Sequence, residues 1–175
     1  LEGSSIKVYW IVKNIDTKEL LFSIGGHPAF MCLVSDDIKQ SDCYIKFDTE
    51  KDLKYGLLNS DGLLLNDVYT LKNENGFCKI DEHMFDKDAL IIEGKQASKV
   101  SLCTPDKKPY LTVTFDAPLF GLWSPAGKNA PFVCIEPWYG RCDRADFAGT
   151  LAEREYGNKL AAGEEYKKEF TITIE

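Results

Sequence analysis

The sequence predicts an all-β protein, an antiparallel β-sandwich. Three observations predict it. Apolar residues recur with a period of two along most of the chain, turn-forming clusters cut the chain into short pieces, and one short stretch alone reads as helical. Alternation of this kind puts every second side chain on a core and the others outward. Many short strands with few helices give a sandwich or a related antiparallel architecture.

The elements follow in chain order. In "SIKVYWIVKN", Ile6, Val8, Trp10 and Val12 fall on one face. Short apolar runs come next: "LLFSI", "CYIKF", "LLL", "ALII" and "VSLC". In "YLTVTF", Leu111, Val113 and Phe115 alternate, and "LFGLW" and "FVCIE" follow. The last strand is "EYKKEFTITI", where Tyr166, Lys168, Phe170, Ile172 and Ile174 share one face opposite Thr171 and Thr173. "NSDG" at 59–62 and "NENG" at 73–76 are hairpin-type turns, because Asn and Gly accept positive φ. "TPDKKP" at 104–109 and "SPAGKNAP" at 124–131 are loops. The helix candidate is "LAEREYG" at 151–157, ended by Gly157. No repeat, low-complexity tract or linker interrupts the 175 residues, so a single domain over 1–175 is expected.

Composition excludes several classes. Net charge is -7 and no Lys/Arg run exceeds two residues, which argues against nucleic acid and against an anionic membrane surface. No stretch approaches the roughly 18 apolar residues of a membrane-spanning helix. The first residues, "LEGSSIKVYW", show no basic region followed by an apolar one, so no signal peptide is expected. None of the six cysteines forms a CxxC pair, so neither a metal site nor a disulfide framework is expected. A reducing, cytoplasmic setting follows from that usage.

Three stretches could carry chemistry. In "SIGGHPAF", two glycines permit close backbone approach, Pro28 stiffens the loop, and His27 is an acid or base suited to neutral pH. The alternative is a histidine that merely caps a turn. In "FVCIEPWYGRCD", a buried strand delivers Glu136 into poorly solvated surroundings, which raises its pKa and suits a general base. Trp138 and Tyr139 beside it offer a stacking face for a sugar ring. The alternative is a structural ion pair of Glu136 with Arg141 or Arg144. In "HMFDKDALII", Asp86 or Asp88 could accept hydrogen bonds from a hydroxylated ligand, or both could be turn aspartates, and His83 reads as a surface residue. The sequence holds no GxSxG, phosphate-binding loop, GxGxxG or HExxH motif.

Taken together, "FSIGGHPAF" (22–30), "FDKDALI" (85–91), "LFGLWSPAGKNAPFVCIEPWYGRCD" (119–143) and "NKLAAGEEYKKEF" (158–170) resemble the aldose 1-epimerase (galactose mutarotase) family, in its LacX-like branch. The resemblance spans almost the whole chain. It implies a galactose mutarotase-like β-sandwich with a sugar cleft on one sheet, and interconversion of the α and β anomers of an aldohexose. It implies no metal and no organic cofactor, with a small-molecule sugar as partner. His27 matches the family's acid and Glu136 its catalytic glutamate. Asp88, with Asp86 as rival, matches a substrate-binding aspartate. The chain resembles the C-terminal portion of such an enzyme, with "IKVYWIVKN" as a mid-domain strand. An architecture incomplete at its N-terminus is therefore expected, with exposed sheet edges covered by self-association. The competing function is a non-catalytic carbohydrate-binding module; a third reading is an interaction domain.

Overall fold

The computed structural model describes residues 3–175 apart from 34, 36 and 129, so one position of the 124–131 loop lies outside the described residues. Fifteen strands are described. They are β1 (Ser5–Lys13), β2 (Leu20–Phe22), β3 (Ile24–Gly25), β4 (Ala29–Met31) and β5 (Tyr44–Phe47). Then come β6 (Leu53–Tyr55), β7 (Tyr69–Leu71), β8 (Phe77–Lys79), β9 (Leu90–Glu93) and β10 (Lys99–Cys103). The last five are β11 (Pro109–Phe115), β12 (Leu119–Trp123), β13 (Phe132–Tyr139), β14 (Asn158–Leu160) and β15 (Glu165–Ile174).

Two sheets form the sandwich. One has six strands in the order β1-β15-β11-β10-β5-β8, and the other runs β3-β13-β12-β9 with β4 also on β13. Every strand pair described is antiparallel. The core lies between the sheets. Ile45, Phe47, Val100, Leu102, Val113, Phe115 and Phe170 of the first meet Leu90, Ile92, Phe120, Leu122, Val133 and Ile135 of the second. Strand periodicity then decides the site. With Val133 and Ile135 turned to the core, Cys134, Glu136 and Trp138 of β13 point to the opposite face of their sheet. That face is covered as well: Leu64, Ile91 and Leu119 make a second cluster against Leu58, Trp138, Cys142 and Tyr156. β13 is therefore buried on both sides, which is why "FVCIEPWY" carries so few polar residues.

Both hairpin turns form. Asn59 Oδ1 accepts from the Asp61 and Leu63 N–H groups at 2.9 Å, with Gly62 at φ +75°. Asn75 and Gly76 both take positive φ, 53° and 84°, and Glu74 and Phe77 exchange backbone hydrogen bonds across them. Two expectations are corrected. The stretch 151–157 is not an α-helix, and only Leu151–Glu153 makes a single 3-10 turn. The Thr150 N–H and hydroxyl both donate to the Glu153 carboxylate at 2.8 Å, closing that turn locally, and Tyr156 at φ 58° ends it. "LLL" is not a strand: Leu64 makes isolated bridges to Leu58 and Arg144 and is fully buried beneath the loops.

β1 pairs with β15 through nine residues and forms one edge of its sheet. Val8, Trp10 and Val12 turn toward the core side, whereas Tyr9 and Ile11 are exposed. No helix among the described residues is long and apolar enough to cross a membrane. The six cysteines are free thiols, five of them buried.

Candidate functional site

The central side chains face one another because of register. β3 pairs Gly25 with Trp138, and β4 pairs Ala29 with Cys134. Counting inward along both strands puts His27 opposite Glu136, in the gap between β3 and β4. The backbone holds the gap closed: the Gly26 N–H donates to Pro137 O at 3.0 Å, and the Ile135 N–H to Pro28 O at 3.3 Å. His27 Nδ1 lies 3.4 Å from Glu136 Oε1, with the imidazole largely exposed (62%) and the carboxylate buried (2%). The "GGHP" stretch thus mounts an exposed imidazole over a buried carboxylate.

Glu136 has no bulk water to stabilise its charge. Burial pushes its carboxyl from 4.5 up to about 7; a hydrogen bond from Trp138 opposes the shift, and the Asp88 charge adds to it. The Trp138 indole can reach it because two neighbours are glycines. A Cβ on Gly121 would lie 2.7 Å from the indole, and one on Gly25 2.8 Å from it. Glycine within "LFGLW" is the sequence signal for this close approach.

The ion pair weighed for Glu136 is not made with either arginine. Arg141, its side chain 1% exposed, donates from Nε to Glu93 at 2.7 Å, also bonds Glu155 and the Cys142 carbonyl, and stacks on Tyr156. Arg144 spans the same two carboxylates, each at 3.0 Å. This network fastens the segment after β13 beneath the cleft and leaves Glu136 to His27 and Trp138.

A cavity of about 420 Å³ opens over the pair, lined by His27, Glu136 and Trp138 with Leu58, Ile91 and Arg141. A second hollow of about 600 Å³ adjoins it through Leu58 and holds Asp86, Asp88, Asn59, Trp123 and Lys128. The two aspartates expected at the sugar therefore lie in the second hollow. Asp86 accepts from His83 Nδ1 at 2.9 Å, a surface pair, while Asp88 sits at φ 72° with Oδ1 accepting from the Ala89 N–H. Sequence reasoning missed Trp123, whose ring meets His27 edge-on at 5.6 Å. It also missed Cys134, two residues before Glu136 on the same face, whose thiol is raised to about 11 by burial and then by the Glu136 charge. The signal for Cys134 was the period of two itself.

This antiparallel two-sheet sandwich is the fold of galactose mutarotase-like proteins. The chain is 30% identical to the galactose mutarotase related enzyme of Lactobacillus acidophilus and superimposes on it with a TM-score of 0.88, covering 100% of itself and 59% of that protein. A galactose mutarotase-like protein of Lactobacillus casei superimposes with a TM-score of 0.84 at 23% identity, over 97% and 58% of the two chains. In sequence the chain is similar to the chromosomal LacX protein of Lactococcus lactis, 28% identical over 99% of this chain and 59% of LacX. The resemblance to the LacX-like branch of the aldose 1-epimerase family thus runs the whole length of the chain, which spans about 59% of the LacX relative. No protein-family model matches the sequence.

Proposed function

We propose that the chain carries the acid/base pair of an aldose 1-epimerase, with His27 as acid and Glu136 as base. The observation that supports this is the 3.4 Å opposition of an exposed imidazole and a buried carboxylate at the wall of an open cavity. The hydroxyl oxygen O1 and the ring oxygen O5 of a cyclic aldose are bonded to the same carbon. One carboxylate and one adjacent imidazolium can therefore serve both. Glu136 takes the proton from O1, protonated His27 gives its proton to O5, and the C1–O5 bond breaks to leave the open-chain aldehyde. Rotation about C1–C2 presents the other carbonyl face. Reclosure returns the O5 proton to His27 and the Glu136 proton to O1, so neither group is consumed. With its carboxyl near 7, Glu136 is ionised enough near neutral pH to accept a proton and basic enough to hold it. Trp138 offers the stacking face for the ring, and Asp88 and Asp86 hydroxyl-binding groups at the second hollow.

Polarimetry of freshly dissolved α-glucose or α-galactose tests this. Anomer exchange is expected to accelerate in proportion to protein concentration, and the acceleration to vanish in Glu136→Gln. Saturable sugar binding with exchange no faster than buffer would instead make the cleft a carbohydrate-binding module.

A further inference from the structure

Cys134 has no part in ring opening, yet it completes a second constellation with the same two residues. One ligand atom from each of His27, Cys134 and Glu136 lies within 4.8 Å of the others. Register builds this set: Cys134 and Glu136 are alternate residues on one face of β13, and His27 stands opposite Glu136. That is why no CxxC-type spacing announces it. Tetrahedral ligands at about 2.0–2.1 Å from a zinc ion stand about 3.4 Å apart. His27 Nδ1 and Glu136 Oε1 already have that separation, at 3.4 Å. A bond of about 2.3 Å to sulfur sets the thiol about 3.5 Å from the other two ligand atoms, so it needs to close by at most about 1.3 Å.

We propose that this triad binds a thiophilic divalent cation, Zn²⁺ in the first instance, and that the bound ion shuts off the acid/base pair. The donor set of thiolate, imidazole and carboxylate suits zinc better than calcium or magnesium, which take oxygen. Three protein ligands leave the fourth position facing the cavity, open to water. The exposed imidazole provides the way in. The Trp138 indole, on the same face of β13, would act on the carboxylate as outer partners do in metal sites. On binding, the Cys134 thiol gives its proton to solvent, and the His27 and Glu136 lone pairs go to the metal. Neither residue can then carry a proton to or from a sugar. The metal site stands on geometry alone; its inhibitory effect rests on the epimerase reading.

Co²⁺ is the probe. Titrating the whole chain is expected to give, at one equivalent, the strong visible bands of tetrahedral cobalt with a near-ultraviolet thiolate-to-cobalt band, both displaced by Zn²⁺. Cys134→Ser should abolish the thiolate band and weaken Zn²⁺ binding at least about tenfold. Circular dichroism checks that this variant folds. His27→Ala, at an exposed position, should weaken binding similarly and serves if Cys134→Ser unfolds. A weak octahedral cobalt spectrum, or bands that persist unchanged in the folded variants, overturns the proposal. In polarimetry, Zn²⁺ should suppress exchange and a chelator restore it; exchange that persists with Zn²⁺ bound overturns the inhibition. Absence of any exchange removes the epimerase reading, and the inhibition with it, while the cobalt bands still decide the metal site.

Discussion

Burial of Glu136 should make the protein less stable as pH rises through neutrality, and Glu136→Gln should remove most of that loss. In the unfolded chain this carboxyl ionises near 4.5, whereas in the fold it holds its proton up to about 7. Between those values the folded state binds more protons than the unfolded one, so stability is highest below the lower value and declines as pH climbs through the upper one. The gap between 4.5 and about 7, at about 1.4 kcal/mol per pH unit, is worth about 3.5 kcal/mol. Roughly 2.5 kcal/mol of it falls between about pH 5 and pH 8.5. Urea unfolding of both proteins at those two pH values measures it. The loss of stability on going to the higher pH should be smaller in Glu136→Gln by about 2 kcal/mol or more, because titrations uncoupled to this site cancel in the difference. The same loss in both proteins would show that the carboxylate is well solvated in the fold, and the argument for a base held near neutrality would fall with it.

Two further changes probe the setting of the same carboxylate. Gly121→Ala places a methyl 2.7 Å from the Trp138 indole, so the ring must move; a cost of about 1–3 kcal/mol in thermal unfolding and a shift in tryptophan emission are expected. Trp138→Phe keeps the aromatic volume and removes the indole donor, so the Glu136 carboxyl should titrate above the wild-type value. The pH at which anomer exchange reaches half its maximum should then move upward.

Local features of this fold are legible in the sequence because each rests on neighbouring residues. The alternation in β1, β11 and β15 marks strands that bury one face, and "NENG" announces its turn because Asn75 and Gly76 both need positive φ. The short apolar "LLL" misleads because burial of Leu64 by tertiary packing looks the same in sequence as burial by a sheet. The helical reading of 151–157 fails because the Thr150–Glu153 pair closes one turn and Tyr156 then turns away. At the site, His27 and Glu136 are recognisable by residue type and setting. Which acid pairs with which base is another matter. Glu93 and Glu155 take Arg141 and Arg144, and that choice depends on where the segment after β13 folds back, which no short stretch of sequence records.

The position of His27 opposite Glu136 has a consequence for how this site could change over time. The spacing of the two groups is set by the ladder rungs on either side, Gly25 with Trp138 and Ala29 with Cys134, which hold the short gap between them in register. A substitution in a distant loop leaves those rungs alone. One residue gained or lost between Gly26 and Ala29 would place a neighbour across from the carboxylate, with the sheet itself intact. The arrangement is thus tolerant of drift in amino-acid identity and intolerant of changes in length, and the four residues from Gly26 to Ala29 are where a lineage would lose the pair in a single step.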